Sequence, residues 1–233
     1  PQLRGDLKSR SIENIVKEVK ELAKQDVKEV NIIAQDITQY GLDLYGETKL
    51  IELLQELVKI ESIKWFRLLY SYPDHITQEL IEFIATEDKI CNYLDLPIQH
   101  VDQRIRKNMN RAGTKEDILE VVNQLRERIP DINLRTSLIV GFPGETEKEF
   151  ETLLEFMQEA KFDHLGAFTY SKEENTPAAE MPCQIPEDRK EERYERVMQL
   201  QQQISYQRNQ RWVGKEVEVL VEELQSEDPR IMV

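Results

Sequence analysis

Apolar residues recur along this chain in two rhythms that alternate with one another. In residues 11–25, Ile12, Ile15, Val16, Val19 and Leu22 share one face of a helical net, with Ser11 and Asn14 as candidate caps. Residues 27–35 (VKEVNIIAQ) then read as a strand and 36–48 as a loop, and 49–60 reads as a helix carrying Leu50, Leu53, Leu54 and Leu57 on one side. The same reading predicts strands at 65–70, 92–99, 132–142 and 164–170, and helices at 77–85, 101–109, 114–128 and 147–160. Pro97 must lie at the end of its strand, because it has no amide to give the ladder. Thr114 with Asp117, and Thr146 with Glu149, have the spacing of capping boxes.

Strand and helix therefore alternate five times, at intervals of roughly 30–40 residues, which argues for an α/β fold with a parallel sheet and helices packed outside it. The chain opens on a helix, halfway through a unit, so a strand and its following loop are expected upstream of Pro1. Pro186 starts a long helix, 187–211, with Tyr194, Val197, Leu200 and Ile204 as a modest apolar stripe. After Gly214, KEVEVLVEE alternates as a strand should. The expected division is thus a core over 1–182, a linking helix over 183–213, and the start of a β-rich domain over 214–233.

Composition narrows the function classes. Apolar residues make up 39% of the 233 and charged residues 33%, too rich in apolar side chains for a disordered chain. No apolar run is long enough for a membrane helix. The formal charge of −14 argues against direct nucleic-acid binding and suits a basic protein partner. Only Cys91 and Cys183 are present, neither a disulfide framework nor a metal-ligand spacing, so a reducing, cytoplasmic setting and no metal site of the chain's own are expected.

In parallel α/β folds the ligand sits at the carboxyl ends of the strands. Here those ends read Gln35-Asp36, Tyr70 to His75, Gln99-His100, Gly141 to Glu145, and Tyr170-Ser171, all polar, small or aromatic. Glycines let a ligand approach the backbone, and amides at the start of the 147–160 helix favour an anion. Each residue also has a plain structural reading. Gly141–Gly144 can be only a turn, and Gln35 and Asp36 loop caps. His75, His100 and His164 can be structural histidines, and Arg135 either an anion contact or half of an ion pair.

Taken in order and spacing, AQDITQYGLDLYG (34–46), YLDLPIQH (93–100), RTSLIVGFPGETEKEF (135–150) and GAFTYSKEENTPAA (166–179) resemble the radical S-adenosylmethionine methylthiotransferases. The Gln99-His100 pair and YSKEENTPA point to the branch that modifies a small-subunit ribosomal protein rather than transfer RNA. The resemblance implies a partial six-stranded, TIM-like (β/α) barrel, with a TRAM-like β-domain after the long helix. It implies S-adenosylmethionine and [4Fe–4S] clusters as cofactors, and methylthiolation at the β-carbon of an aspartate in ribosomal protein S12. It also implies that Gln35 and Asp36 face the methionyl amino group and that Gln99 and His100 approach the ribose or substrate. On the same resemblance Arg135 would pair with the methionyl carboxylate, while Gly141, Phe168 and Tyr170 would flank the adenine.

The family's three cluster-binding cysteines have no counterpart in these 233 residues, so this stretch alone is expected neither to hold a cluster nor to turn over. The residues name no electron donor or sulfur source. Arg4, Lys8 and Arg10 are a candidate basic contact or a solvated face. Two other readings stand beside this one. One is an ordinary α/β barrel enzyme holding a phosphorylated small molecule at the 144–146 helix start. The other is a non-catalytic scaffold that docks a basic protein.

Overall fold

The computed structural model describes residues 5–221. Five strands, β1 (Glu29–Ile32), β2 (Trp65–Leu68), β3 (Ile90–Asp95), β4 (Asn133–Val140) and β5 (His164–Thr169), form one sheet. They lie in the order β1-β2-β3-β4-β5 and every pairing is parallel. Each crossover thus steps to the next strand in the same direction. Right-handed crossovers then place the main helices on one face of the sheet and leave the other face open. This is the singly wound arrangement of a partial barrel, with the five strands that the alternation predicted.

The helices are α1 (Ile12–Lys24), α2 (Leu42–Tyr45), α3 (Leu50–Leu57), α4 (Gln78–Thr86), α5 (Gln103–Asn108), α6 (Lys115–Arg128), α7 (Glu147–Ala160), α8 (Pro177–Glu180) and α9 (Glu187–Asn209). Their starts follow local chemistry. The Ser11 hydroxyl accepts the Asn14 amide at 3.3 Å, and Thr77 accepts Leu80 at 3.2 Å. At α6 the capping box is reciprocal: Asp117 accepts from the Thr114 amide at 2.7 Å, and Thr114 accepts the Asp117 amide at 3.2 Å.

The core sits between the sheet and this helical layer. Phe66, Leu68, Leu94, Leu134, Leu138 and Val140 are fully buried, packed with Leu54 and Leu57 of α3, Ile81 of α4, Val122 of α6, and Phe150 and Phe156 of α7. Alternate strand residues point the other way, and these are polar: Asn31, Arg67, Asn133 and Arg135. Two-sided burial normally makes a parallel strand apolar throughout. The polar second set therefore marks a face built for something other than packing.

Two expectations are corrected. The helix anticipated as a linker is part of the packed layer: Val197 and Ile204 of α9 belong to the main core, and Gln201 Nε2 donates to the Phe162 carbonyl at 2.9 Å. Its inward stripe also contains Lys190 and Arg193, which hydropathy alone excludes from a buried face. The 36–48 segment is not plain loop, since it holds a 3-10 turn (Ile37–Gln39) and α2. The strand expected after Gly214 has no ladder over residues 215–221, and the rest of it lies outside the described residues, as does Arg4.

Candidate functional site

The polar face of the sheet opens into a cleft of about 1160 Å³. Two guanidiniums project into it. Arg67 of β2 donates from Nε to Glu29 Oε1 at 2.6 Å, and its Cζ lies 4.8 Å from the centre of the Tyr93 ring. Arg135 of β4 donates from Nη1 to Asp95 Oδ1 at 2.9 Å. Asp95 is fully buried, whereas the Arg135 side chain is 39% exposed. The other Asp95 oxygen accepts the Tyr70 amide at 3.2 Å. Both readings of Arg135 thus meet in one side chain, ion-paired on one edge and open on the other.

Gln35, Gln99, Gly141 and Phe168 lie at the carboxyl ends of β1, β3, β4 and β5. Gln35 is exposed. Beyond Pro97 the chain rejoins the sheet, with the Gln99 amide donating to the Ser137 carbonyl and the Ile139 amide to Gln99, both at 2.8 Å. Gln99 itself takes φ +65°, a left-handed conformation uncommon for a residue with a side chain. Its Nε2 donates to Ser137 Oγ at 3.2 Å. Phe168, 57% exposed, and Tyr70, 45% exposed, offer bare aromatic surface on this edge.

Three expected residues are enclosed instead. The Asp36 carboxylate turns back to cap its own 3-10 turn: it accepts the Thr38 amide at 3.0 Å and Gln39 Nε2 at 2.8 Å, and bonds His75 Nδ1 at 2.9 Å. His100 is fully buried, with Nδ1 accepting the Asp102 amide at 3.0 Å and Nε2 3.4 Å from Glu145. That pairing fixes the tautomer, leaving the proton on Nε2 to face the carboxylate. Tyr170 packs edge-on against Phe142, ring centres 5.4 Å apart, inside a small apolar cluster with Ile105.

The GFPGE turn explains why. Glu145, its side chain wholly buried, accepts from the Gly141 amide and from Arg193 Nη1 at 3.1 Å, and meets His100. Lys190 donates to the Tyr170 carbonyl at 2.8 Å. Gly141 has φ +73°, and a Cβ there would overlap the Lys190 side chain, so glycine is required twice over. The helix start itself is occupied. Glu149 accepts from the amide and hydroxyl of Thr146 at 2.7 and 2.9 Å, and Arg104 pairs with Glu149. The Gly144 amide donates to the Cys183 carbonyl at 2.9 Å. The amides of Gly144, Glu145 and Thr146 are thus committed, and the Glu145 and Glu149 carboxylates stand beside them. Sequence spacing located this turn but not its two partners from α9.

A singly wound parallel sheet with an open polar face and polar or aromatic residues at its carboxyl edge is the core of a partial barrel, and comparison gives the family. The family model described as the Radical SAM superfamily matches residues 1–157, and the chain belongs to that family. Among curated relatives it is 54% identical over 223 residues to "Ribosomal protein uS12 methylthiotransferase RimO" of Clostridioides difficile (strain 630), covering 96% of this chain and 50% of the relative. The protein of the same name from Geobacter sulfurreducens (strain ATCC 51573 / DSM 12127 / PCA) is 54% identical over 222 residues, 95% of this chain and 50% of that one. The chain thus spans about half the length of the curated relatives it matches. Among solved structures the coproporphyrinogen III oxidase (HemN) of Escherichia coli superposes with a TM-score of 0.57 at 15% identity, over 85% of this chain and 48% of that one. Methylornithine synthase (PylB) gives 0.56 at 14%, over 85% and 56%. These two share the fold.

An iron–sulfur cluster does not fit the donors present. Cluster ligation takes several thiolates, and the sequence has two cysteines. Burial pushes the Cys91 thiol up to about 11, so it stays protonated at neutral pH. Among the described residues no group of three or more His, Cys, Asp or Glu is placed to hold a metal.

Proposed function

We propose that this chain is the S-adenosylmethionine-binding barrel of a methylthiotransferase acting on an aspartate of ribosomal protein uS12, with the cluster ligands supplied from outside these residues. The observation that carries the reading is the identity of 51–55% to uS12 methylthiotransferases across nearly the whole chain. The open carboxyl edge supports it. Exposed Phe168 offers an aromatic face to an adenine, and Gly141 allows close approach of backbone beside it. The free edge of the Arg135 guanidinium suits the methionyl carboxylate, and Gln35 and Gln99 present amides to the amino group and ribose. Asp36, His100 and Tyr170 act one layer back: they hold the 36–39 turn, the 99–102 corner and the 141–145 turn in place. The division into a core over 1–182, a helix over 183–213 and a further β-rich domain from 214 belongs to the same reading, with α9 serving as part of the barrel wall. A ribosomal protein as substrate and a cytoplasmic setting follow from it.

The test is genetic and chemical. Cells lacking the gene should contain uS12 without its methylthio mass, while methylthiolated nucleosides in their transfer RNA stay unchanged. Unaltered uS12 together with transfer RNA that has lost the group would transfer the proposal to the RNA-modifying branch. In vitro, the chain should bind S-adenosylhomocysteine, and Arg135→Met should weaken that binding by about tenfold, as the loss of one charge-assisted contact predicts.

A further inference from the structure

The proposed cofactor contacts leave one guanidinium of the cleft without a task. Arg67 sits mid-strand on β2, paired in register with Asn31 of β1. Its guanidinium is held at three points: by the backbone of a central strand, by Glu29 at Nε, and by the ring of Tyr93 beneath it. Among the described residues neither Nη1 nor Nη2 has a hydrogen-bond partner, and the side chain is 31% exposed on the cleft. A guanidinium that is immobilised at Nε and stacked on a phenol has lost its conformational freedom before any ligand arrives. Its two outer N–H groups remain as a fork, the geometry that receives a carboxylate through parallel hydrogen bonds.

We infer that Arg67 is a binding site for the side-chain carboxylate of an acidic residue in a peptide ligand. The cleft is far larger than one amino acid, and Leu69 and Tyr70 at the carboxyl end of β2 line it beside Arg67, so an extended loop can reach the fork. Glu87, Asp88, Asp131 and Glu218 also line it; the first three precede β3 and β4 and so stand toward the amino-terminal ends of the strands, and Glu218 is paired with Lys64. A peptide acid approaching past Tyr70 reaches Arg67 without passing them. A free amino acid fits less well, because its ammonium would need a carboxylate, and Glu29 and Asp95 are already paired. Where the ligand is the ribosomal protein, the inference rests on the function proposed above; the carboxylate site itself does not.

The chain carries its own reporter. Its only two tryptophans, Trp65 and Trp212, both line the cleft. N-acetyl-aspartate α-amide should shift their fluorescence saturably, whereas N-acetyl-asparagine α-amide, the neutral isostere, should not. Arg67→Met should abolish the response, and Arg67→Lys, which keeps a cation for Glu29 but loses the fork, should weaken binding about tenfold. Methionine α-carboxylate, used as a competitor, should displace the probe poorly. Circular dichroism melting of both Arg67 variants establishes that they fold, and the lysine variant keeps the test available if the methionine variant does not. Equal responses to the two amides, or a response that survives both substitutions, overturns the inference. Purified uS12 and its aspartate-to-asparagine variant separate this from the functional proposal. Arg67-dependent binding of the small probe without any binding of uS12 sinks the function and leaves the site standing. Discrimination between the two uS12 forms that persists in Arg67→Lys and Arg67→Met sinks the site and leaves the function.

Discussion

Glu145→Ala is the most informative single perturbation of this fold. The side chain is wholly buried and serves three partners: the Gly141 amide, Arg193 Nη1 at 3.1 Å and His100 Nε2 at 3.4 Å. Arg193 is 9% exposed in its side chain, so truncation leaves a guanidinium with little water to replace the carboxylate. Removing one partner of a buried ion pair costs about 3–5 kcal/mol. The Glu145 backbone carbonyl still accepts from Arg193 at 3.1 Å, and Glu147 stands 3.5 Å away, which places the expectation at the lower end, ~3 kcal/mol. For a chain of this size about 1 kcal/mol moves the melting temperature by roughly 2–4 °C, giving a drop of roughly 6–12 °C. Thermal unfolding followed by circular dichroism reads it, alongside Glu145→Gln, which keeps an acceptor for the Gly141 amide and should lose about half as much. The double variant Glu145→Met/Arg193→Met should be more stable than the sum of the singles predicts, because the stranded charge is gone. A loss under about 1 kcal/mol for Glu145→Ala, or additive singles, would show that the network is not the clasp between the 141–145 turn and α9.

Gly141→Ala should destabilise by about 1–3 kcal/mol in the same assay, through a left-handed backbone and an overlap with Lys190; adding Lys190→Ala should recover only the steric part. In the native chain a thiol reagent at pH 7 should label exposed Cys183 several-fold faster than half-buried Cys91, whose thiol partial burial keeps protonated; equal rates would contradict the raised Cys91 thiol. The Cys91 thiol is raised from 9.0 to about 11 on folding, chiefly by burial. Its contribution to stability is therefore complete below pH 9 and declines as the pH rises from there toward 11. Urea midpoints measured across that window should fall less for Cys91→Ala than for the unaltered chain.

Much of the fold was legible because it is written in local chemistry. The leucine stripe of 50–57 and the Thr114–Asp117 box need only neighbours a turn away, and both appear where spacing placed them. The sequential strand order follows from short crossovers, each with its own helix. What spacing could not reveal is which face a polar side chain takes. Lys190, Arg193 and Gln201 are buried on α9 because each finds a partner on an element 20 to 48 residues away: the Tyr170 carbonyl, Glu145 and the Phe162 carbonyl. Hydropathy scores them as exposed, so the helix read as a linker. His100 and Asp36 failed to reach the cleft for the same reason. A strand-end position says that a residue is near the ligand edge, but its side chain goes to whichever partner satisfies it first.

That competition separates the two halves of the carboxyl edge. Along the 141–146 turn the Glu145 carboxylate and most amides are spoken for: Glu145 by three partners, Thr146 by Glu149, and Gly144 by the Cys183 carbonyl. A segment so fully satisfied gains little from a polar ligand and much from rigidity, which is what a backbone surface for a flat heterocycle needs. Across the sheet the opposite holds. Arg67 and Arg135 are each held by one carboxylate and left open on the remaining edges, while Gln35 is free. Orientation has been fixed there in advance, yet hydrogen-bonding capacity remains. On the function proposed above, this division gives shape to the β4–α7 turn and charge recognition to the open face of β2 and β4. Substitutions in the turn should therefore change melting temperature and affinity together, and Arg135→Met, which strands the buried Asp95 carboxylate, should do the same, whereas substitutions at Arg67 should change affinity more than stability.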